Sequence, residues 1–345
     1  MAEHAGAKTG LKFYQAENMT VLVTGAAGFI GSHVSHALLA CGAQVIGVDN
    51  LNDYYQVQLK RDRLTPLLAQ PGFQFFELDI SDRIAFNTAL RDEKITRVIH
   101  LAAQAGVRYS IENPFAYTQT NVTGHLVVLE YCRHLDGLQH LVYASSSSVY
   151  GGNEKLPFAE SDPVDRPISL YAATKKADEL MSHTYSHLYR MPQTGLRFFT
   201  VYGPWGRTDM ALWTFTESIL AGKPIRVFNH GNMKRDFTFV DDIVAGVLAC
   251  LDSPPTDDGK SAPHRIYNIG NHRSEKLTHM IAVLEKALGR KAEKIFEPMQ
   301  PGDVAETYAD ITAIQRDHGF TPTTSIDMGI PRFVEWYKSY HRIND

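Results

Sequence analysis

The chain has 345 residues, of which 44% are hydrophobic and 21% charged, a composition typical of globular proteins. Its formal net charge of −4 argues against nucleic acid or an anionic membrane as a partner, and no apolar stretch is long enough to span a bilayer. The scattered residues Cys41, Cys132 and Cys250 indicate neither a disulfide framework nor a thiolate metal site, so we expect a cytoplasmic protein without a metal. Residues 1–18 lack the apolar region of a signal peptide and are interpreted as a mobile leader.

The first predicted elements are a strand, a glycine-rich turn and a helix. Residues 21–23 form a short apolar run suited to a buried strand, and residues 32–39 have a helical pattern. Between them the glycines follow the spacing G-x-x-G-x-x-G, which leaves main-chain N–H groups free to bind a pyrophosphate at the start of the helix. We therefore predict a dinucleotide-binding turn formed by Gly25, Gly28, Phe29, Ile30 and Gly31.

The second predicted strand, residues 44–48, is followed by an acidic residue. Asp49 lies near the distance from the glycine turn at which an acid binds the adenosine ribose hydroxyls. A carboxylate at this position would repel the 2′-phosphate of NADP, so the pattern favours NAD as the cofactor. Asn50, the next residue, is expected to border the adenosine.

Further strands and helices alternate along the chain. Strands are predicted at residues 73–78, 97–101 and 140–144, and a long helix is predicted from Pro114 to Arg133. The alternation predicts an α/β fold, a Rossmann-type doubly wound parallel sheet with a smaller C-terminal substrate-binding lobe, in which ligands bind beyond the carboxyl ends of the strands. The cofactor contacts predicted from these elements are Asp79, Ile80, Leu101, Ala102, Ala103, Gln104 and Asn121.

Residues with catalytic potential follow the fifth predicted strand. The segment Ser-Ser-Ser-Ser-Val-Tyr-Gly, residues 145–151, is placed at the ligand-binding edge of the sheet, and a helix is predicted to begin near Tyr171. Tyr171 and Lys175 are four residues apart and therefore share one helical face. A nearby ammonium favours the phenolate, which lets a tyrosine act as a general base toward a substrate alcohol. A serine hydroxyl opposite would hold the same oxygen or relay its proton.

In these motifs the chain resembles the extended short-chain dehydrogenase/reductase family, from Met19 to about Tyr340. The resemblance implies that Ser146, Tyr171 and Lys175 are catalytic and that the last two also contact NAD. It implies further that Ser148 faces the sugar and completes the catalytic set. Dehydratases of the family carry Asp-Glu directly before Val-Tyr-Gly, whereas this chain has two serines there, which argues against elimination of water.

Within that family, a second set of motifs resembles the UDP-glucuronate 4-epimerases. They are Tyr-Gly-Pro-Trp-Gly-Arg-Thr-Asp-Met at residues 202–210 and Asn-Leu-Asn-Asp-Tyr-Tyr at residues 50–55. The resemblance implies that Val227 and Phe228 hold the uracil and that Arg235 contacts the diphosphate. Many relatives have a second arginine near Pro-Gly-Asp, where this chain has Gln300, and Arg273 is the candidate replacement. The other substrate contacts predicted in this way are Arg108, Ser147, Thr200, Arg207, Met210 and Ala211.

The resemblance also implies a reaction. Tyr171 removes the proton of the C4 hydroxyl while NAD takes the hydride from C4, the 4-keto sugar rotates, and the hydride returns to its opposite face. With a uronic acid the intermediate is a β-keto acid that readily loses carbon dioxide, so the enzyme must hold the carboxylate. Arg207 is the predicted partner, because a guanidinium binds a carboxylate through two parallel hydrogen bonds. The alternative interpretation of Arg207 is an ion pair within its own loop, and the alternative interpretation of Arg108 is a surface ion pair.

The predicted function is therefore NAD-dependent interconversion of UDP-glucuronate and UDP-galacturonate, a step of polysaccharide biosynthesis. Decarboxylation of UDP-glucuronate, epimerisation of UDP-glucose and UDP-galactose, and non-catalytic NAD sensing are the alternatives. The predicted Rossmann domain comprises residues 19–201 and 237–256, and the predicted UDP-sugar-binding lobe comprises residues 202–236 and 257–345. The resemblance also implies a homodimer formed through the two helices that start near Pro114 and Tyr171.

Overall fold

The computed structural model describes residues 19–300 and 303–343, so the predicted leader at residues 1–18 lies outside the described residues. The strands are β1 Thr20–Thr24, β2 Gln44–Asp49, β3 Phe73–Glu77, β4 Arg97–His100, β5 His140–Ser146, β6 Gln193–Phe198, β7 Thr200–Tyr202, β8 Ile225–Val227, β9 Lys234–Arg235, β10 Phe237–Phe239, β11 His264–Ile269, β12 Glu275–Lys276 and β13 Lys294–Phe296. The α-helices are α1 Phe29–Ala40, α2 Val57–Leu68, α3 Arg83–Ala89, α4 Tyr109–Glu112, α5 Pro114–Tyr117, α6 Gly124–Arg133, α7 Leu170–Tyr189, α8 Ala211–Leu220, α9 Val240–Asp252, α10 Leu277–Leu288, α11 Thr312–His318 and α12 Ile326–His341.

Within the described ranges, seven strands form one parallel sheet in the order β11-β6-β5-β4-β1-β2-β3. β1 lies between β2 and β4, so the strand order reverses beside it and opens a crevice at the carboxyl ends of the strands. The predicted Rossmann-type doubly wound parallel sheet is confirmed.

Helices cover both faces of this sheet, because successive side chains of a strand point to opposite sides. Val21 and Val23 of β1 pack in the core that α1 and α9 cover, whereas Leu22 packs in the core that α3 and α6 cover. All three side chains are fully buried. This position between two helical layers explains why the first strand is a continuous apolar run.

Short strand pairs build the smaller lobe: β8 pairs with β13, and β9 pairs with β12. α10 packs against α8 and α12 beside them. The predicted division assigned residues 257–345 to this lobe, but β11 lies in that range and pairs with β6 at the edge of the central sheet. The predicted boundary was therefore wrong at β11, which completes the Rossmann sheet; the rest of the division stays a prediction.

The predicted helix from Pro114 to Arg133 contains a π-helical segment, Thr118–Thr123, between α5 and α6. Such wide turns are frequent at functional sites because they shift the side chains that follow. Across residues 19–300 and 303–343, no helix has both the length and the apolar character needed to cross a membrane. The same residues contain no cluster of three or more His, Cys, Asp or Glu side chains able to hold a metal ion.

Candidate active site

A cavity lies beside the carboxyl ends of the central strands, and all but two of the predicted cofactor residues line it. The two exceptions are Asp79 and Asn121. The lining residues from the predicted set are Gly25, Gly28, Phe29, Ile30, Gly31, Asp49, Asn50, Ile80, Leu101, Ala102, Ala103, Gln104, Tyr171 and Lys175.

The glycine turn leaves room for main chain only. Gly25 has a φ of +74°, and its N–H donates to the Val48 carbonyl oxygen over 2.7 Å. A Cβ atom at Gly31 would lie 2.0 Å from the carbonyl oxygen of Gly25, so the start of α1 lies directly against the turn. Gly28, at the N-cap, supplies no side-chain hydrogen bond to the first N–H groups of α1. These groups are therefore available to a pyrophosphate, and the turn fits a dinucleotide.

The Asp49 carboxylate, at the end of β2, lines the same cavity. It accepts main-chain N–H bonds from Ala27 over 3.1 Å and from Leu51 over 2.9 Å, which fix its position and leave lone pairs for ribose hydroxyls. Burial raises the pKa of the Asp49 carboxyl, and the nearby Lys60 ammonium opposes that rise. Lys60 also lines the cavity and was missed by the sequence analysis; its ammonium donates to the Asn52 carbonyl oxygen over 2.7 Å.

Tyr171 and Lys175 lie on α7 and both line the cavity. The Ser169 hydroxyl accepts a main-chain N–H bond at the N-cap, which sets where the helix begins. The buried Lys175 ammonium donates to the Ala144 carbonyl oxygen over 2.9 Å and to the Asp178 carboxylate over 3.0 Å. Burial raises the pKa of Asp178 to about 6, even though Lys175 opposes the rise. The ammonium is therefore held in place by the fold before any ligand binds.

Ser146, at the end of β5, lines the cavity together with Tyr171 and Lys175, as does its neighbour Ser145. The Ser146 hydroxyl oxygen accepts the Ser148 N–H over 3.1 Å, at the start of a 3₁₀ turn that covers Ser147–Tyr150. Ser147 and Ser148, which were predicted to meet the sugar, lie in this turn and are not among the lining residues. The Ser148 N–H orients the Ser146 hydroxyl, and the predicted contacts of Ser147 and Ser148 with the sugar stay predictions.

Asn121 and Asp79 support the wall of the cavity without lining it. Asn121 accepts the Gln104 N–H over 2.8 Å and donates to the Gln104 carbonyl and to the Thr174 hydroxyl, each over 3.0 Å. It thereby joins the loop after β4 to α7. Asp79 accepts a bond from the Asn50 side chain over 2.8 Å. The predicted direct cofactor contacts of Asp79 and Asn121 stay predictions.

Arg207 lines the cavity from the lobe side, together with Met210. Its Nε and Nη2 donate to the two carboxylate oxygens of Asp209, over 2.9 and 2.5 Å. The ion pair within its own loop, which the sequence left open for Arg207, is therefore present; Arg207 also forms part of the cavity wall, and its predicted role as the carboxylate partner stays a prediction.

Three of the predicted substrate residues, none of them among those that line the cavity, lie around Asp303. Arg108 donates to the Asp303 carboxylate over 3.2 Å, and its guanidinium lies 5.0 Å from the centre of the Phe228 ring. Burial lowers the pKa of Arg235, and the Asp303 carboxylate opposes this effect. Gln300, near the position where relatives have arginine, has a buried Oε1 with no hydrogen-bond partner among the described residues.

The other predicted substrate residues are not among those that line the cavity. Thr200 opens β7, and Ala211 opens α8. Val227 ends β8 and is fully buried, while Arg273 lies between β11 and β12. Their predicted roles stay predictions.

A family model described as the NAD dependent epimerase/dehydratase family matches residues 21–270. This range includes the glycine turn, Asp49, the Tyr171 and Lys175 pair and Arg207. The chain belongs to this family. The match confirms the family resemblance drawn from the sequence motifs.

The relatives of this family member include enzymes for both uronic acids and neutral sugars. UDP-glucuronate 4-epimerase 4 of Arabidopsis thaliana is 49% identical over 333 residues, which cover 94% of this chain and 76% of that protein. The structure of UDP-glucuronic acid 4-epimerase from Bacillus cereus in complex with UDP-glucuronic acid and NAD is 34% identical, with a TM-score of 0.86 over 93% of this chain and 100% of that one. The structure of UDP-glucose 4-epimerase from Thermotoga maritima with UDP-glucose is 31% identical, with a TM-score of 0.83 over 94% of this chain and 100% of that one. The fold alone therefore does not decide between these sugars.

Arg63 of this epimerase/dehydratase family member was missed by the sequence analysis. Its guanidinium is buried beneath the cavity and donates to the Ala27 carbonyl oxygen over 3.0 Å and to the Tyr55 hydroxyl over 2.6 Å. Tyr55 itself lines the cavity. The local pattern of α2 contains no signal for this role, because the acceptors come from other elements of the fold.

A buried ion pair close to Ser145 was not predicted from the sequence. Arg197, on β6, donates from Nε and Nη2 to the two oxygens of Glu179 over 2.8 and 2.9 Å, and the Ser145 hydroxyl donates to the same carboxylate over 2.7 Å. Burial alone would raise the pKa of Glu179, but Arg197 holds it below the usual range. An arginine between Leu196 and Phe198 in β6 was the available signal, since a buried charge requires a partner.

Proposed function

We propose that the protein is an NAD-dependent epimerase that interconverts UDP-glucuronate and UDP-galacturonate at C4 of the sugar. The observation that carries the proposal is that the Arg207 guanidinium lines the same cavity as Ser146, Tyr171 and Lys175. A proton-transfer set and a group suited to a carboxylate therefore face one ligand. The similarity to the Arabidopsis thaliana and Bacillus cereus enzymes supports the same function.

The cofactor site is formed by the glycine turn, Asp49 and Lys175. NAD, when bound, supplies the reversible acceptance of a hydride from the sugar carbon. The main-chain N–H groups at the start of α1 bind the pyrophosphate, and Asp49 accepts hydrogen bonds from the adenosine ribose. Gly31 is part of this fit because a side chain there would meet the carbonyl oxygen of Gly25.

Tyr171 acts as the general base toward the C4 hydroxyl and returns the proton to the C4 oxygen when the epimer forms. The Lys175 ammonium lines the same cavity, and the bonds to Ala144 and Asp178 keep it near α7. Ser146 holds the same sugar oxygen from the end of β5. The 4-keto sugar turns between the two proton transfers, so that the hydride returns to the opposite face of the sugar.

Arg207 binds the carboxylate of the uronic acid. Loss of carbon dioxide from a β-keto acid breaks the bond between C5 and the carboxylate carbon and leaves the electron pair on an enolate, which then takes a proton at C5. This bond breaks readily only when it is aligned with the π system of the ketone. A guanidinium that holds the carboxylate in another orientation therefore favours epimerisation over decarboxylation.

The assembly that we propose is a homodimer in which α5, α6 and α7 face their counterparts. Large apolar side chains on these helices are exposed, with Phe115 83%, Leu180 57% and Leu188 60% accessible. Such side chains favour an interface between subunits. Sedimentation equilibrium of the full chain is expected to give twice the mass of one chain, and a mass of one chain would contradict the dimer.

We place the protein in the cytoplasm. Cys41, Cys132 and Cys250 are all free thiols, which supports a reducing compartment. Fractionation of cells that produce the protein, followed by immunodetection, is expected to recover it with cytoplasmic marker proteins.

The test of the function is product analysis by NMR after incubation of the purified protein with UDP-glucuronate and no added NAD. We expect a mixture of UDP-glucuronate and UDP-galacturonate, because the cofactor is carried and recycled. UDP-xylose with carbon dioxide would instead identify a decarboxylase. In a parallel incubation, conversion of UDP-galactose but not of UDP-glucuronate would identify a neutral-sugar epimerase, and no reaction with either sugar after addition of NAD would favour the sensing alternative.

A further inference from the structure

Asp209 occupies only one edge of the Arg207 guanidinium. The contact uses Nε and Nη2, at 2.9 and 2.5 Å from the two carboxylate oxygens. A guanidinium has five N–H donors, so this contact leaves both donors of Nη1 and the second donor of Nη2. Among the described residues Nη1 has no hydrogen-bond partner. The terminal edge between Nη1 and Nη2 is thus free for a second carboxylate.

The position of the pair relative to the cavity agrees with this division of the donors. Arg207 lines the cavity, whereas Asp209 is not among the lining residues. The Arg207 and Asp209 side chains are 22% and 31% exposed, so the ion pair lies at the rim of the cavity and is accessible to a ligand bound there. Asp209 therefore binds Arg207 without filling the place where a substrate carboxylate would bind.

Asp209 is itself held by the dinucleotide-binding part of the molecule. The Tyr54 hydroxyl donates to Asp209 over 3.1 Å, across 155 positions of sequence. The Tyr54 ring packs on the Tyr109 ring, with 4.7 Å between the ring centres. These contacts fix the carboxylate on the side of the guanidinium that Tyr54 approaches.

The protonation states of the three groups suit this arrangement. Burial alone would raise the pKa of Asp209, but Arg207 and the Tyr54 hydroxyl hold it below its usual range. Burial and the Asp209 carboxylate raise the pKa of Tyr54, so its hydroxyl remains a donor at neutral pH. Asp209 is thus a carboxylate, and Arg207 and Tyr54 both donate to it.

We propose that Asp209 is a positioning residue that holds the Nε edge of Arg207, so that its terminal edge binds the substrate carboxylate and keeps it from decarboxylation. The inference rests on the proposed function, since it concerns the uronic acid that the cavity would bind. Asp209 touches neither the sugar nor the cofactor in this scheme and acts only through Arg207. It also balances the charge of the guanidinium, so that recognition of the carboxylate depends more on direction than on net charge.

The experiment compares the wild-type enzyme with the variants Asp209→Asn and Asp257→Asn, each with its bound NAD. Asp257 is the matched control, because it binds Nε and Nη2 of Arg190 through both carboxylate oxygens at a surface outside the cavity. The side chains of that pair are 31% and 37% exposed, similar to the pair at the site. The readouts are the initial rates with UDP-glucuronate and the ratio of UDP-galacturonate to UDP-pentose by NMR.

We expect Asp209→Asn to lower kcat/KM for UDP-glucuronate about tenfold, the usual size of one lost charge-assisted hydrogen bond. The fraction of UDP-pentose rises, since the carboxylate is no longer held in one direction, while the NAD content is unchanged. Asp257→Asn matches the wild type in both readouts. In the Arg207→Ala background, Asp209→Asn causes no further change in the product ratio, because Asp209 acts through Arg207.

A wild-type product ratio in Asp209→Asn would overturn the role of Asp209 while leaving the proposed function intact. A lower KM without UDP-pentose would overturn it too, because Asp209 would then be a competitor of the substrate carboxylate. A further rise of UDP-pentose on adding Asp209→Asn to Arg207→Ala would show that Asp209 acts elsewhere. If the wild-type enzyme itself fails to convert UDP-glucuronate, it is the proposed function that fails.

Discussion

The Arg63 guanidinium of α2 donates to the Trp205 carbonyl oxygen, over 2.7 Å from Nη2 and 3.1 Å from Nε. The two residues are 142 positions apart in the sequence. Arg63 is only 2% exposed, and it also donates to Ala27 in the glycine turn and to Gly206 beside Arg207. One buried cation thereby connects the turn that binds the cofactor with the loop that carries Arg207.

Replacement of Arg63 by methionine is expected to lower the free energy of unfolding by about 3 kcal/mol, because several main-chain carbonyls lose their donor inside the protein. Urea denaturation followed by circular dichroism measures the change. Arg61→Met is the control on the same helix, since Arg61 is exposed, and it is expected to cost less than about 0.5 kcal/mol. Equal effects of the two changes would contradict a special role for Arg63.

Replacement of Gly31 by alanine is expected to remove bound NAD from the purified protein. The new Cβ would lie 2.0 Å from the carbonyl oxygen of Gly25, so α1 must move away from the glycine turn. Nucleotide released by acid and quantified by chromatography measures the cofactor content. Gly152→Ala is the matched control, because its Cβ would meet only Ile168 at 3.9 Å. Wild-type NAD content in Gly31→Ala would show that the turn does not hold the cofactor.

Replacement of Tyr171 by phenylalanine is expected to leave NAD bound while lowering kcat by roughly 10²–10⁴-fold, the usual contribution of a general base. The ring remains and only the hydroxyl that exchanges the proton is lost. Rates measured by NMR with UDP-glucuronate, together with the NAD content, separate catalysis from cofactor binding. Turnover at the wild-type rate would refute the general-base role.

Replacement of Arg207 by alanine is expected to lower kcat/KM for UDP-glucuronate by roughly 10–100-fold, as lost charge-assisted hydrogen bonds to a carboxylate usually do. Part of the product is expected to be UDP-pentose, since the carboxylate of the 4-keto sugar is no longer held. NMR product analysis measures both effects. An unchanged rate and an unchanged product would remove Arg207 from the substrate site.

Acidification is expected to destabilise the protein through buried histidines, of which His140 is an example. Burial lowers the pKa of His140 from 6.5 to about 4, and its ring is bonded to the Leu251 carbonyl and the Thr194 hydroxyl. The unfolded chain therefore takes up a proton before the folded one, so this stability is present above pH 6.5 and is lost as the pH falls toward 4.

The free energy of unfolding at pH 7 and at pH 5 tests this expectation. Between pH 7 and pH 5, the free energy of unfolding of His140→Gln is expected to fall by roughly 2 kcal/mol less than that of the wild type. His187→Gln, at an exposed position of α7, is expected to show the pH dependence of the wild type. A His140→Gln variant with the wild-type pH dependence would contradict the assignment.

Short patterns in the sequence determined the type of fold and the centre of the site. The apolar run of β1, the glycine spacing and the four-residue interval between Tyr171 and Lys175 all depend on neighbours along the chain. Strand and helix periodicity act over a few residues, so these features are readable without coordinates. Arg207 was also recognisable, but only from its motif.

Tertiary structure decided which of the remaining residues meet. The sequence alone did not show that β11 would extend the central sheet beside β6, or that Asn121 would join Gln104 to Thr174. The contacts of Arg63 with Trp205, and of Tyr54 with Asp209, were likewise not predictable. Such contacts join residues far apart in the chain, and their geometry depends on how whole elements pack. Local periodicity carries no information about that packing.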